Sequence, residues 1–320
     1  MDYSADIPFS PARGRTRPEA RRLTRPIRTR LDKRLRADQP ELSWAKVRSA
    51  IERGQVTVND VIERDPGAEV LSTAAVVLDV NRPAVRPARS RFGRLYEDAH
   101  ILVIDKPAGL LTIPVDKEDG ADEDTVLSRV REYMDRRRGP GGYVGTLHRL
   151  DRDTSGALAL ALTREAHDAG RAQFGRHEFD RQYMALVEGV PSPVIGTIEA
   201  AVAEGYTAGR RRLAGRGETG IPAVTHYVVR QAYGTGAALV ELTLDTGRQH
   251  QIRLHLQHIG HPVLGDRVYG SPGGADAAAR QMLHAWTLTF PHPVTGVRVA
   301  AEAPPPDDFV RMRARLRGWR

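Results

Sequence analysis

HRLDRDTSG, His148 to Gly156, is a run of clustered charge that ends in a small polar turn and feeds into ALALAL, Ala157 to Leu162. A lone Asp is usually a solvated ion-pair partner. Asp151 differs because Arg149 and Arg152 flank it, and because the apolar run behind it can anchor the loop to a core. A nearby guanidinium favours the ionised, attacking form of a carboxylate, which makes Asp151 a candidate nucleophile in a phosphate-rich site. In an extended chain Arg149 and Asp151 project to the same side. Thr154, Ser155 and Gly156 can bring backbone donors to a phosphate or sugar. His148 reads first as a hydrogen-bonded structural histidine, with a general base as the alternative.

The second cluster is TGRQHQIRLHL, Thr246 to Leu256. A strand ends at Asp245, and after the turn Thr246-Gly247 the segment Gln249 to Ile259 has helical periodicity, with Ile252, Leu256 and Ile259 on its buried side. His250 and Arg253 are three apart and share a face, which can aim Arg253 at a carboxylate on another loop. Phosphate contact or a structural ion pair are the alternatives for Arg253. Histidines 250, 255, 258 and 261 invite a metal, but they have no Cys and no HExxH pairing, and they cannot all converge; no metal site is expected. Lys106-Pro107-Ala108-Gly109 either lines a site or closes a turn. Tyr183 in RQYMALVEG reads as a core tyrosine on a strand. GHPVLGDRVYG, Gly260 to Gly270, lacks the GK[ST] of a phosphate loop, and no GxGxxG opens a helix, so no nucleotide cofactor is expected.

Among 320 residues, 48 Lys and Arg stand against 40 Asp and Glu, a formal charge of +8. Such an excess points to an anionic partner, most often nucleic acid. The chain has no cysteine, which excludes disulfides, thiolate catalysis and iron–sulfur ligation. No apolar run has membrane-spanning length, and MDYSADIPFSPARGR lacks the order of a secretory signal; a cytoplasmic protein with no membrane partner is expected.

The length allows two domains. Residues 1–28 read as a flexible basic arm with too few apolar residues to order itself, and between Arg13 and Arg36 there are eleven basic residues and two acidic ones. Residues 29–82 read as two short basic helices on a small sheet. Lys33 and Arg34 belong to the first helix. The second starts at the N-cap Ser43, with Leu42 and Val47 as a staple; Trp44, Val47 and Ile51 share a face, Lys46 and Arg53 lie on a more polar side, and Gly54 follows its end. Gln55 to Asn59 and Val76 to Val80 read as strands. Residues 83–94 have linker character. Residues 95–305 hold most strands, among them Tyr183 to Val187, Thr225 to Arg230 and Leu239 to Leu244. A helix around Thr125 to Asp135 lies between apparent surface loops at Asp116 to Gly120 and Arg136 to Gly142. Short strands with a few helices argue for α+β. Residues 306–320 read as a basic C-terminal tail with five arginines, either solvated or a helix on RNA.

HRLDRDTSG, DKPAGLL, RQYMALVEG, PAVTHY, TGRQHQIRLHL, GHPVLGDRVYG and QMLHAWTLTFPHPVTG together resemble the RluA-type pseudouridine synthases over most of residues 98–298. RLDKRL and LSWAKVRSAIERGQVTVN, within 30–59, resemble an S4-type RNA-binding domain, although VIERDPGAEVLSTAAVVLDV lacks the Gly-Asp turn expected before its last strand. The resemblance implies a catalytic domain with a central mixed, mainly antiparallel sheet and flanking helices, preceded by a small α/β-type module. It implies isomerisation of specific uridines to pseudouridine in structured RNA, by a monomer without cofactor. Ribosomal large-subunit RNA or a large-subunit assembly particle is the partner it suggests.

In that reading Asp151 starts glycosidic cleavage as nucleophile or base, Arg253 pairs with it, and Tyr183 stacks on the uracil and can help remove the proton from carbon 5. Arg149 fills the gap in the RNA stack. Arg152, Lys106 and Arg248, with Lys33, Arg34, Lys46 and Arg53 of the first module, contact RNA. Asp153 is a decoy carboxylate, and Arg210 to Gly220 is a mobile RNA-contacting loop. The alternatives are a synthase acting on transfer RNA, an RNA-binding ribosome-assembly factor with incidental catalysis, and a DNA glycosylase, which would release free uracil.

Overall fold

A computed structural model describes residues 28–82, 92–114, 124–207 and 210–318. Residues 1–27 of the expected arm, 83–91 of the expected linker and the loop Asp116 to Gly120 lie outside them. Two units are divided between Pro87 and Ala88.

In the first unit β1 (Arg28–Arg30) leads into α1 (Leu31–Asp38) and α2 (Trp44–Glu52), then β2 (Val56–Val58), β3 (Val61–Ile62), β4 (Glu69–Leu71) and β5 (Val76–Leu78). β1 pairs with β4, and β2 lies between β3 and β5, all antiparallel. The Ser43 hydroxyl caps α2 by accepting from Lys46 N, and Leu42 packs with Val47 onto a core of Leu31, Leu35, Ile51 and Val56. Asn59 and Asp60 both take positive φ, as a two-residue primed hairpin turn requires. Trp44 departs from expectation. It shares a helical face with Val47 and Ile51, but at the first turn it lies beyond the edge of that core; it is 47% exposed, with Arg48 5.9 Å from its ring centroid. Asp32 is buried on α1 and paired with Arg30 at 2.8 Å and Arg48 at 3.5 Å, a tie between the helices that spacing did not reveal. Lys33 and Lys46 are exposed and Arg53 is half-buried. Arg34 is already engaged by Asp38 and by Ser72 O, at 2.8 and 2.7 Å.

The second unit runs β6 (Gly93–Glu97), β7 (Ile101–Lys106), α3 (Val126–Arg138), β8 (Gly145–Thr146), β9 (Ser155–Ala161), α4 (Arg164–Gly175), β10 (Asp180–Glu188) and β11 (Ile195–Glu199). It continues through β12 (Val202–Ala203), β13 (Gly220–Ile221), β14 (Val224–Tyr233), β15 (Ala237–Leu244), α5 (Gln251–His258), α6 (Pro272–Ala275), β16 (Leu283–Pro291), β17 (Arg298–Glu302) and α7 (Asp307–Arg317). The main sheet has the order β11-β14-β15-β10-β16-β9-β7-β6, with β17 beside β16 and β8 beside β9. Among the described residues only β9 and β16 run parallel in it. This is the α+β, mainly antiparallel arrangement expected.

The Ala-Leu alternation of β9 follows from burial on both faces. Leu158 and Leu160 join Val130 of α3, Leu256 of α5 and Phe309 of α7, whereas Ala157, Ala159 and Ala161 join Ala166 of α4 and Phe290 of β16. One row of paired residues crosses the sheet: Leu242 with Tyr183, Tyr183 with Ala285, Ala285 with Gly156, and Gly156 with Lys106. Directly opposed residues share a face. Tyr183 and Lys106 therefore flank the start of β9, where the Asp151 loop ends. Gly156 has φ +115, and a Cβ there would lie 2.1 Å from Ala285 O, so the loop can enter the sheet here only on a glycine.

Three boundaries differ from expectation. Phe92 packs on the core and β6 begins at Gly93, ahead of Leu95. Arg136 to Arg138 close α3 instead of starting a loop. Residues 307–317 are not a tail: α7 buries Phe309, Met312 and Leu316, and Arg280 grips its Asp308 at 2.6 and 2.9 Å. The arginines between these apolar positions hid their spacing. Residues 210–220 are also held: Arg211 donates to Gln249 Oε1 at 3.1 Å, and β13 pairs with β12.

Candidate active site

Asp151 stands where its loop, α5 and the turn at 266–269 meet. Its Oδ2 accepts from Arg253 Nη1 at 3.0 Å. The other edge of that guanidinium grips Asp266, Nε to Oδ2 at 2.6 Å and Nη2 to Oδ1 at 2.8 Å. Asp266 Oδ1 also accepts from the backbone N–H of Val268 and Tyr269, at 2.9 and 3.1 Å, and the Tyr269 ring centroid lies 4.9 Å from Arg253 Cζ. Burial pushes the Asp266 carboxyl up, but Arg253 and the backbone donors outweigh it and hold the group below its ordinary range. Burial likewise works against the Arg253 charge, and Asp266 and Asp151 more than offset it. Asp151 keeps 20% of its side chain accessible, against 6% for Arg253 and none for Asp266. A buried carboxylate thus fixes an arginine, which presents one N–H to a carboxylate that substrate can reach.

Gln251 sets the direction of α5. Its Oε1 accepts from Thr246 Oγ1 and Arg248 N, at 2.8 and 2.9 Å, and its Nε2 donates to Val224 O and Thr225 Oγ1, at 2.9 and 3.0 Å. The helix starts two residues later than expected because His250 takes the left-handed conformation, φ 60. His250 Nδ1 meets Tyr269 Oη at 2.8 Å, and Nε2 lies 3.9 Å from Asp151 Oδ1. Of the other histidines in that run, His255 bonds Thr225 Oγ1 and Ala200 O, and His261 bonds Glu188 O. Among the described residues no group of three metal-ligating side chains converges. Tyr183 is buried, which raises its phenol; Arg181 opposes that shift and Asp151 adds to it.

Several expected roles change. Lys106 is fully buried, and its Nζ donates to Pro107 O, Leu110 O and Arg152 O at 2.8–2.9 Å, so it closes the turn and ties the Asp151 loop to β7 instead of touching RNA. Burial lowers its amine to about 7, against the pull of Asp153 and Asp151. Thr154 and Ser155 are buried; Thr154 N already donates to Asp151 O at 3.1 Å, and the two hydroxyls are bonded to Gln281 and His284. Arg149 is exposed, Arg152 pairs with Asp153 at 3.3 Å, and the exposed Arg248 donates to Pro222 O at 3.2 Å. Asp266, Tyr269 and Gln251 escaped the sequence reading. Their one signal was Arg253 itself, since an arginine on a largely apolar helix needs a buried partner.

His148 is structural. Its Nε2 accepts from Ala159 N at 3.1 Å, its ring stacks on Phe174, and burial lowers it to about 3. The unfolded chain binds a proton here near pH 6.5 and the folded chain does not until about pH 3, so this residue removes stability as pH falls through that window. His148→Gln can keep an acceptor near Nε2. It should flatten the fall in denaturation midpoint between pH 6.5 and 4 by up to one proton, about 1.4 kcal/mol per pH unit. An unchanged slope would mean that His148 is charged in the fold.

The profile of the RNA pseudouridylate synthase family matches residues 100–258. The ribosomal large subunit pseudouridine synthase D of Xylella fastidiosa is 39% identical over 295 residues, 87% of this chain and 86% of that protein. The chain belongs to the pseudouridine synthase family. It is therefore an isomerase that converts uridine in RNA to pseudouridine. The dual-specificity RNA pseudouridine synthase RluA of Escherichia coli is 39% identical over 211 residues, 66% of this synthase and 91% of that protein. The human RNA pseudouridylate synthase domain containing 4 shares its architecture with TM-score 0.56 at 26% identity, covering 70% of this synthase and 93% of that chain. Among the described residues of the synthase, no helix is long and apolar enough to cross a membrane.

Proposed function

We propose that the chain is an RluA-type synthase acting in the cytoplasm on large-subunit ribosomal RNA, with Asp151 as the group that opens the glycosidic bond and the first unit as an S4-type RNA-binding module. The observation that carries this reading is the Asp266–Arg253–Asp151 series, which leaves only its last carboxylate reachable. The reaction detaches uracil, turns it and rejoins it through carbon 5, whose proton is lost. Extracting a stacked base costs a few kcal/mol. The exposed Arg149 guanidinium can occupy the vacated space. The Tyr183 ring beside the loop offers an aromatic surface, and stacking on a base is worth about 1–3 kcal/mol. Closure around the base keeps water from the sugar while the base turns. The name of the Xylella fastidiosa relative supports the ribosomal substrate. Net positive charge and the exposed Lys33 and Lys46 support the docking role of the first unit.

The test is to map pseudouridines formed by the purified protein in unmodified transcripts of large-subunit RNA and of transfer RNAs. Product in the ribosomal transcript is expected; product in transfer RNA alone would move the substrate, and no product in either would end the assignment. In the same assay Lys33→Glu with Lys46→Glu should weaken binding to the ribosomal transcript about tenfold and reduce the salt slope by roughly two. Turnover at saturating RNA should hold. A matching loss of turnover would argue against a separable docking module.

A further inference from the structure

His250 has an unassigned nitrogen that faces the reaction centre. Tyr269 Oη donates its single proton to Arg211 O at 3.1 Å, so at the 2.8 Å contact with His250 it is the acceptor and Nδ1–H is the donor. In the neutral ring that leaves Nε2 with a lone pair, 3.9 Å from Asp151 Oδ1. Burial lowers the ring's proton affinity, Asp151 and Asp266 pull it back, and Arg253 and Arg149 push it further down. The ring is thus an acceptor beside a carboxylate. Both groups lack a proton to share at that separation, so a donor must come from whatever enters between them. Its backbone is held at φ 60, a conformation uncommon for a non-glycine residue, which aims the ring at this point instead of along α5.

We propose that His250 Nε2 accepts a hydrogen bond from the 2′-hydroxyl of the target nucleotide, and so makes the site select ribose over deoxyribose. The inference rests on Asp151 acting at the sugar. If it does, the 2′ oxygen, two bonds from the anomeric carbon, is the one sugar hydroxyl that falls beside the reacting carboxylate. The 2′-hydroxyl is also the group by which a protein distinguishes RNA from DNA at a single position. A built acceptor left without its donor penalises the analogue that lacks it.

The test uses two synthetic RNA fragments spanning a uridine that the mapping identifies, one all ribose and one with 2′-deoxyuridine at that position alone. Binding is measured with full-length Asp151→Ala protein, which permits no turnover and places no amide N–H opposite His250 Nε2. The ribose fragment should bind roughly tenfold tighter. Adding His250→Asn, which tolerates the left-handed backbone but ends short of Nε2, should bring the two affinities together by weakening only the ribose fragment. His250→Ala should do the same. Equal weakening of both fragments would assign His250 a structural role, and a preserved tenfold ratio would place the 2′-hydroxyl elsewhere; either overturns the inference. Absence of any mapped pseudouridine would instead defeat the catalytic reading beneath it.

Discussion

Asp151→Asn should lower pseudouridine formation at least about ten-thousandfold, the scale seen when a group that acts directly at the reacting bond is removed, while RNA affinity stays within a few-fold. The amide matches the carboxylate in shape, and its oxygen can still accept from Arg253 Nη1. Arg253 remains doubly bonded to Asp266, so no buried charge loses its partner and the fold should hold. What disappears is the nucleophilic or basic oxygen facing the sugar. Each turnover frees the hydrogen on uracil carbon 5, so tritium release from RNA labelled there reads the chemistry, and a filter assay reads binding. Turnover within tenfold of the parent would remove Asp151 from the mechanism. Asp153 serves as the contrast: Asp153→Asn breaks a pair with the exposed Arg152 and should change turnover little.

The part of this site legible in the sequence was the part written in short stretches. Asp151, Arg253 and Tyr183 each stand in a distinctive run of residues. β9 and α7 show where local pattern succeeds and fails. The apolar run Ala157 to Leu162 reads as a core anchor for the Asp151 loop, and β9 is buried along its whole length. Phe309, Met312 and Leu316 were obscured by arginines at alternate positions from Arg311 to Arg317, although their spacing is helical. Lys106 misled because residue type suggested phosphate contact, whereas three backbone carbonyls brought together by the β7 turn and the Asp151 loop define its role. Asp266 and Gln251 were invisible for a similar reason. Each is fixed by partners that only the folded turns 246–251 and 266–269 assemble, and no periodicity reports such a meeting. The α+β class needed less, because strand and helix periods are local.

Arg253→Met should cost the second unit about 3–5 kcal/mol, the usual loss when one member of a buried ion pair is removed, and should abolish most activity as well. Asp266 would be left buried with only the Val268 and Tyr269 N–H groups to offset its charge. With the guanidinium gone, burial dominates and the carboxyl titrates at a higher pH than in the parent. The sign of the pH dependence follows. In the parent, the depressed Asp266 group contributes stability above its unfolded pKa and loses it as pH falls through the folded value. In the variant the penalty is greatest where the orphaned carboxylate must stay charged, and it shrinks as that group protonates. Urea denaturation at pH 8 and pH 5 should therefore show a larger deficit at the higher pH. Arg253→Met with Asp266→Asn removes the stranded charge while leaving an oxygen for the two backbone donors, so much of the stability should return. Activity should not return, because the N–H that positions Asp151 is still missing. Recovery of turnover in that double variant would show that Arg253 serves only the fold; a deficit independent of pH would show that Asp266 was never the charge it neutralised.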